Sequence, residues 1–256
     1  MARAPAVAKQ KSTALATTSF SEELDDLKSR LAAPSGDKIK IENKQFILPS
    51  GAKADELDLV ILDFVYYNAY YENAYTKGVV ESPTCFSLSA EPKGAAPSGK
   101  SPDPQCDGCD GCPQNQFGSK GKGKACQNRL RIAVLPGDMT TTDENTPIAI
   151  LDIPPTSIKG FQNYVASVAR SIQRPPYGVI SHVCCDENET YAKVLFGQQP
   201  PQPFDMEDPD AVAFVEMLRG RRQEARERLL VEPDPVAQND APAKKTALKA
   251  PAKRRA

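Results

Sequence analysis

A group of cysteines in the middle of the chain carries the clearest chemistry in the sequence. Four of them, Cys106, Cys109, Cys112 and Cys126, lie in the stretch QCDGCDGCPQNQFGSKGKGKACQNRLR, and Cys85 lies upstream. A CxxC pair supplies two thiolates from one tight turn, and zinc takes four ligands in a tetrahedron. The spacing therefore predicts a metal knuckle in which Cys109, Cys112 and Cys126 are three of the ligands.

The fourth ligand and the metal itself remain open at this point. Cys85 and Cys106 are both candidates for the fourth position. The run Cys106-x-x-Cys109-x-x-Cys112 also resembles iron–sulfur sequences, but those normally add a cysteine three residues later, whereas the next one here is Cys126. Four soft thiolates without a redox partner domain favour structural zinc. An iron–sulfur centre and a loop without metal are the alternatives.

Basic side chains surround the last cysteine. No acidic residue occurs between residues 111 and 137. Glycines let the backbone approach a phosphate and basic side chains neutralise it, so nucleic-acid contact is predicted, with a solvated lysine loop as the alternative. GSKGKGK is not a phosphate loop of the nucleotide-binding kind, because no Ser or Thr follows its last lysine. The predicted basic contacts are Lys120, Lys122, Lys124, Arg129 and Arg131.

Aromatic residues supply the second half of this prediction. Five of the eight tyrosines fall within residues 66–75, in a segment that alternates as a strand would. Aromatic side chains on a basic surface can stack on unpaired bases. We therefore predict base contacts from Tyr66, Tyr67, Tyr70 and Phe117, although one face of such a strand belongs to the core.

Catalytic constellations are not predicted. His182 is the only histidine in the sequence, so a metal site with several histidine ligands cannot be built, and any Ser/His/Asp triad would have to use His182. It lies in an alternating segment and is expected to be a partly buried strand residue. We therefore predict a protein that is not an enzyme. An enzyme with an iron–sulfur centre is the alternative of lowest rank.

Length, charge and proline content limit the architecture. The chain has 256 residues and 23 prolines, and no apolar run approaches the length that spans a bilayer. Residues 1–20 carry three basic side chains and residues 241–256 carry six, both without an acid, which leaves 23 basic and 33 acidic side chains between them. Basic ends of this kind indicate an anionic partner. The cysteine usage fits a reducing cytoplasm, and no membrane partner is expected.

The elements that must position these residues can be outlined from periodicity. A short helix begins at Ser19, and a second, with a clear amphipathic stripe, begins after Pro154. Residues 178–185 and 191–196 read as a hairpin. The remaining strands are predicted at residues 38–41, 45–48, 57–71, 85–88, 129–136 and 147–153.

Five or six strands with an internal helix suit a small oligonucleotide-binding (OB) barrel. The predicted fold class is α+β, mainly β: an OB-like Greek-key barrel with an inserted zinc knuckle and a C-terminal helix. A generic α+β domain suits the same strand count. The predicted boundaries are a disordered arm at 1–18, a core at 19–205 with the insert at 81–128, a helix at 206–231 and a disordered basic tail at 232–256.

The sequence also resembles a family of bacteriophage-encoded proteins. The resemblance rests on CDGCPQNQFGSKGKGKACQNRLRIAVL, PTCFSL and LDIPPTSIKGFQNYVASVAR, and it covers roughly residues 45–196. Members are often described as single-stranded-DNA-binding proteins. The resemblance implies an OB-like core with a zinc knuckle, and metal ligands at Cys85, Cys109, Cys112 and Cys126, which leaves Cys106 as an extra thiol. The basic C-terminus departs from the acidic, partner-recruiting tail of many single-strand binders.

The leading hypothesis is therefore a non-enzymatic phage protein that binds single-stranded DNA in the bacterial cytoplasm during replication or recombination. RNA is an alternative ligand, and replication or recombination proteins are candidate partners. The second hypothesis is a zinc-stabilised structural or regulatory interaction protein of a phage that binds no nucleic acid.

Overall fold

A computed structural model describes residues 37–73, 80–231 and 236–237. The helix predicted from Ser19, the N-terminal arm and nearly all of the basic tail lie outside the described residues. Within them, most of the strands expected from the sequence are confirmed. The strands are β1 Lys38–Glu42, β2 Gln45–Ile47, β3 Lys53–Ala54, β4 Glu56–Tyr70, β5 Val80–Glu81, β6 Cys85–Ser89, β7 Gln127–Pro136, β8 Ala149–Ile153, β9 Val179–Cys185, β10 Val194–Phe196, β11 Gln202–Pro203 and β12 Val236–Ala237.

Three α-helices complete the described structure: α1 Pro155–Ser171, α2 Pro209–Gly220 and α3 Arg222–Leu229. Helix α1 begins with a proline in its first turn, where the missing N–H costs no hydrogen bond. Asp208 caps α2 by accepting a hydrogen bond from the backbone N–H of Asp210 at 3.0 Å. The single helix predicted at 206–231 is thus two helices. The helix is interrupted at Arg221, directly after Gly220, whose helix propensity is low.

Ten of the twelve described strands form one mixed sheet that curls into a half-barrel, in the order β10-β9-β4-β7-β8-β1-β2-β3, with β6 paired to β4 and β11 paired to β9. Strands β5 and β12 form a separate antiparallel pair. The β1–β8 pair is parallel, and the other pairs of this sheet are antiparallel. β4 is its central strand: β7 pairs along one side of it, while β9 and β6 pair with its first and last residues on the other. The α+β, mainly β class is confirmed. The 15-residue length of β4 separates two ends of the molecule, one at β9 and one at β6.

A bulge between Ile61 and Asp63 decides which β4 side chains share a face. Before it, Leu59 and Ile61 lie in the core that α1 covers; after it, Phe64 and Tyr66 take that face. One extra residue shifts the period-two alternation by one position. The bulge therefore places Tyr66, Asn68 and Tyr70 on the α1 face, and Tyr67 and Ala69 on the other.

Both faces of the sheet are covered by helices. Phe161, Tyr164 and Val168 of α1 pack on the first face. Phe214 and Leu218 of α2, with Leu229 of α3, pack on the second against Val60, Leu62 and Val65. The α1 face continues past Tyr66 toward Asn68 and Tyr70, where the cysteine-rich segment lies.

Candidate metal centre and nucleic-acid interface

Residues 105–126, which we call the knuckle, fold around backbone hydrogen bonds with few aliphatic side chains. The N–H of Cys109 donates to the carbonyl of Ala95 at 2.8 Å, and the N–H of Cys126 donates to the carbonyl of Gln114 at 2.8 Å. The side chain of Asn115 donates to the carbonyl of Cys109 at 2.8 Å. These bonds fold the CxxC turn back so that Cys126, at the entry to β7, lies beside it.

Five thiols converge on one cavity at the β6 end of β4. Cys85 is brought there by its pairing with Tyr70, and the others come from the knuckle. All of them are free thiols. Asn68, Tyr70 and Ser87 line the same cavity. The cysteines concerned are Cys85, Cys106, Cys109, Cys112 and Cys126.

Burial disfavours the ionised form of two of these thiols, Cys126 and Cys109. Burial raises the pKa of Cys126 to about 12, and the neighbouring cysteines add to that effect. Burial also raises the pKa of Cys109, although hydrogen bonds from Ser87 and Asn68 to its sulfur oppose the change. Without a cation, the grouping of buried thiols disfavours their negative charge.

The donor set is chemically suited to zinc, since buried thiolates are soft ligands and CxxC is a common zinc-binding unit. Within the described ranges, no three His, Cys, Asp or Glu side chains are already arranged as metal ligands. The sequence and this cavity leave Cys85 and Cys106 as alternatives for the fourth position. Cys106 is directed partly elsewhere, because its thiol donates to the carbonyl of Gly108 at 3.1 Å.

The far end of the knuckle is a small closed loop from Phe117 to Lys124, which we call the tip. Gly118 donates its N–H to the carbonyl of Gly123 at 2.9 Å, and Gly118 has a φ of 95° that an L side chain rarely adopts. Phe117 is 80% exposed, the largest value among the exposed large hydrophobic side chains of the described residues. Lys120 and Lys122 are exposed beside it. The tip therefore presents an aromatic ring together with positive charge.

Of the other predicted contacts, Tyr66 and Tyr70 are half-buried on the α1 face, the same face as the cysteine cavity. The hydroxyl of Tyr66 accepts a hydrogen bond from Gln162 of α1 at 2.9 Å. Arg129 is half-buried at the start of β7 and donates to Gln127 at 2.8 Å.

The prediction of nucleic-acid contacts is wrong for Tyr67 and Arg131, because both are interior residues. Tyr67 is 3% exposed and Arg131 is 5% exposed. The guanidinium carbon of Arg131 lies 4.8 Å from the centre of the Tyr67 ring, and its Nε lies 3.1 Å from Asp152 Oδ1. Burial raises the pKa of Tyr67. In this structure neither side chain reaches a ligand on the surface.

A network of amides around the cavity was not foreseen from the sequence. Asn68 donates to the hydroxyl of Ser87 at 3.0 Å, and Asn128 donates to the side-chain oxygen of Asn68 at 2.6 Å. Asn128 also donates to Asn115 Oδ1 at 2.9 Å. The one signal in the sequence was Asn68 itself, a polar residue that interrupts the aromatic run of β4.

The prediction that His182 is a partly buried strand residue is confirmed, since it is 8% exposed. Its Nδ1 lies 3.0 Å from Asp58 Oδ1 and its Nε2 lies 3.4 Å from Glu56 Oε2. Asp58 and His182 face each other in the β4–β9 register. This group lies at the end of β4 opposite the knuckle, so it is separate from the cysteine cavity.

No protein-family model matches the chain, and no curated protein or solved structure is significantly similar to it. Among the described residues, none of the helices is both long and apolar enough to cross a lipid bilayer.

Proposed function

We propose that this protein binds single-stranded DNA through the tip of the knuckle and the adjoining α1 face of the sheet. The observation that carries the proposal is Phe117, which is 80% exposed between the cysteine cavity and two exposed lysines. Exposing a large ring to water is unfavourable unless a partner covers it. A nucleotide suits that position, because its base can stack on the Phe117 ring while Lys120 or Lys122 neutralises its phosphate.

An unpaired strand is favoured over a duplex because stacking on an inserted ring needs a base face that is not already stacked. Tyr70 and Tyr66 lie on the same face of β4 as the cysteine cavity, two positions either side of Asn68. They offer further aromatic edges along a path from the tip toward α1. Recognition by stacking and charge predicts weak sequence preference and strong salt dependence. RNA shares this chemistry and is an outcome that the binding test distinguishes.

A structural zinc on Cys85, Cys109, Cys112 and Cys126 is part of the proposal. Its support is the convergence of these thiols on one cavity, with Cys85 and Cys109 already buried. Zinc would supply a fixed tetrahedral anchor for a segment that has few aliphatic side chains of its own. The protein's part is to hold the thiol sulfurs together and to hydrogen-bond Cys109 through Ser87 and Asn68.

The wider setting is proposed on the same basis. The curled, mainly antiparallel sheet supports an OB-like core, although its order includes the parallel β1–β8 pair. The sequence resemblance supports a phage protein that acts, without catalysis of its own, in DNA replication or recombination in the bacterial cytoplasm. Replication or recombination proteins are the partners that this setting would provide.

The test is a titration of a fluorescent oligo-dT into freshly purified protein whose zinc content has been measured. We expect binding at low salt that exceeds binding to a duplex and to oligo-U of equal length. Lys120→Ala/Lys122→Ala should weaken binding and lower the slope of log affinity against log salt by about 0.7 for each phosphate that is no longer neutralised. The matched control is Lys40→Ala/Lys53→Ala, which removes two exposed lysines from β1 and β3.

Three outcomes would count against the proposal. Protein that contains zinc but fails to bind oligo-dT at low salt would support the interaction-protein hypothesis instead. Equal affinity for duplex and single strand would remove the stacking argument. Visible absorbance with iron, rather than colourless protein with zinc, would replace the structural metal by an iron–sulfur centre.

A further inference from the structure

Lys124 differs from the other two lysines of the tip in what its ammonium group contacts. Its Nζ donates to Asn128 Oδ1 at 3.1 Å and to Asn115 Oδ1 at 3.3 Å. It also lies 5.2 Å from the centre of the Phe117 ring. The side chain is half-buried, whereas Lys120 and Lys122 are exposed. The ammonium group of Lys124 is therefore occupied by contacts within the protein, whereas those of Lys120 and Lys122 lie at exposed positions.

The two amides that hold Lys124 connect it to the cysteine cavity. Asn115 donates to the carbonyl of Cys109 at 2.8 Å, inside the CxxC turn. Asn128 reaches the cavity through Asn68, at 2.6 Å. Asn68 and Asn115 both line the cavity. Hydrogen bonds thus connect the cavity wall to Lys124, and a cation–π contact connects Lys124 to the exposed ring.

Charge gives this arrangement a further consequence. A zinc ion with four thiolates carries a net charge of about −2, which is costly beside a buried wall unless a cation compensates it. Asn115, whose Oδ1 accepts a hydrogen bond from Lys124 Nζ at 3.3 Å, lines the cavity, so the ammonium group lies one hydrogen bond from the cavity wall. Lys124 also lies two residues before Cys126, so the backbone fixes it near the cavity.

We propose that Lys124 is a positioning residue of the knuckle: its ammonium group compensates the thiolate cluster and fixes the Phe117 ring, while Lys120 and Lys122 supply the phosphate contacts. The role of Lys124 toward the metal stands on the cysteine cavity alone. Its role toward the ring, and the division among the lysines, rest on the proposed function. The proposal separates two groups of lysines that sequence reasoning treated as equivalent.

The first arm of the test measures metal retention without nucleic acid. Zinc-loaded full-length protein is titrated with a chromophoric chelator, and Lys124→Met is compared with Lys122→Met. Methionine keeps much of the aliphatic length and removes the charge. Outer-shell changes of this kind typically weaken metal binding about 10–100-fold, so Lys124→Met should release zinc at correspondingly lower chelator concentrations. Lys122→Met should match the wild type, and Lys124→Arg should recover part of the loss.

The second arm measures binding of oligo-dT as a function of salt. Lys120→Met and Lys122→Met should each lower the salt slope by about 0.7, the value for one phosphate on a single strand. Lys124→Met should weaken binding at every salt concentration and leave the slope unchanged, because the ring is misplaced while every phosphate stays neutralised. Lys124→Gln also removes the charge and is the variant to use if Lys124→Met does not fold.

The two arms separate the possible failures. Zinc affinity of Lys124→Met equal to that of the wild type, together with a slope lowered by about 0.7, would overturn the proposal and make Lys124 an ordinary phosphate contact. Wild-type protein that fails to bind oligo-dT would overturn the proposed function. In that case the chelator titration still decides whether Lys124 supports the metal centre.

Discussion

The guanidinium of Arg131 and the carboxylate of Asp152 form an ion pair inside the sheet, with Nε 3.1 Å from Oδ1. The two residues face each other in the β7–β8 register, and both side chains are less than a tenth exposed. Lys38 lies 2.7 Å from the second oxygen of Asp152. Arg131 also donates to the carbonyls of Leu229 and Val231, at 3.4 Å and 2.9 Å, so it ties the end of α3 to the sheet.

Replacing Arg131 should therefore destabilise the fold without a specific effect on the binding of single-stranded DNA. We expect Arg131→Met to lower the free energy of unfolding by about 3 kcal/mol, because Asp152 keeps its charge in the interior and is left with one of its two cations. Urea unfolding followed by circular dichroism measures the change. The control is Lys40→Met at an exposed position of β1, which should stay within about 0.5 kcal/mol of the wild type. Equal effects of the two substitutions would contradict the interior assignment.

Asp152 also predicts a pH dependence of stability. Burial alone would raise the pKa of this carboxyl, but Arg131 and Lys38 outweigh burial and hold the pKa at about 2, below its ordinary 3.8. A depressed pKa contributes stability above the unfolded-state value and loses it as pH falls through the folded-state value. The stabilisation of about 2 kcal/mol should therefore fade between about pH 4 and pH 2.

The measurement compares the wild type with Asp152→Asn in urea unfolding at several pH values. Other carboxyls with lowered pKa values, such as Asp138 and Asp143, titrate in both proteins, so the difference between the curves isolates Asp152. The difference should shrink as the pH approaches 2. A difference that stays constant from pH 6 to pH 2 would show that the Asp152 carboxyl is not paired as described.

The burial of Arg131 could not be predicted from the sequence. Alternation predicted that this segment is a strand with one face in the core, and the strand is confirmed. Alternation could not say what covers each face. The second face is interior because α2 and α3 fold back onto it and because Asp152 arrives on β8. These are long-range contacts that no local pattern encodes.

The cysteine site was more accessible to prediction, because a CxxC turn is local and its chemistry follows from residue type. Spacing placed Cys109, Cys112 and Cys126 together, and the structure brings Cys85 to the same cavity through β6. The supporting amides were not predicted, since Asn68 and Asn128 meet only in the β4–β7 register. The choice between Cys85 and Cys106 needs an experiment of its own.

Cys85→Ser and Cys106→Ser are the matched pair for that choice. We expect Cys85→Ser to lose most of its zinc, since a buried thiol on β6 is held in the cavity by strand pairing. Cys106→Ser should keep about one zinc per chain, because a closed structural site needs only four ligands. Metal analysis of the dialysed proteins gives the answer. The reverse pattern would assign Cys106 as the ligand.

Phe117→Ala should weaken binding to oligo-dT about 5–150-fold, the range that corresponds to losing one stacked base. Because the ring is 80% exposed, its removal should leave the free energy of unfolding nearly unchanged. Tyr191→Ala is the matched control: Tyr191 is also exposed, but it lies between β9 and β10, at the other end of β4. An equal loss of affinity in Phe117→Ala and Tyr191→Ala would mean that the tip does not contact the bound oligo-dT.

Gly197 tests the joint between α1 and the hairpin of β9 and β10. Its φ is 71°, and a Cβ at this position would lie 2.8 Å from Cδ2 of Tyr164. Tyr164 has little freedom to move, because its hydroxyl donates to Ser181 at 2.7 Å in the core. Gly197→Ala should therefore cost both the left-handed backbone penalty and a packing penalty, together roughly 2–5 kcal/mol.

The matched control for Gly197 is Gly51→Ala. Gly51 has a similar φ of 84°, and no atom lies within 4 Å of the position of its missing Cβ. Its substitution should cost only the backbone penalty of about 1–2 kcal/mol. The excess destabilisation of Gly197→Ala in urea unfolding then measures how tightly α1 packs on the sheet. Equal costs at the two glycines would mean that Tyr164 yields freely, and that its bond to Ser181 does not hold the helix in place.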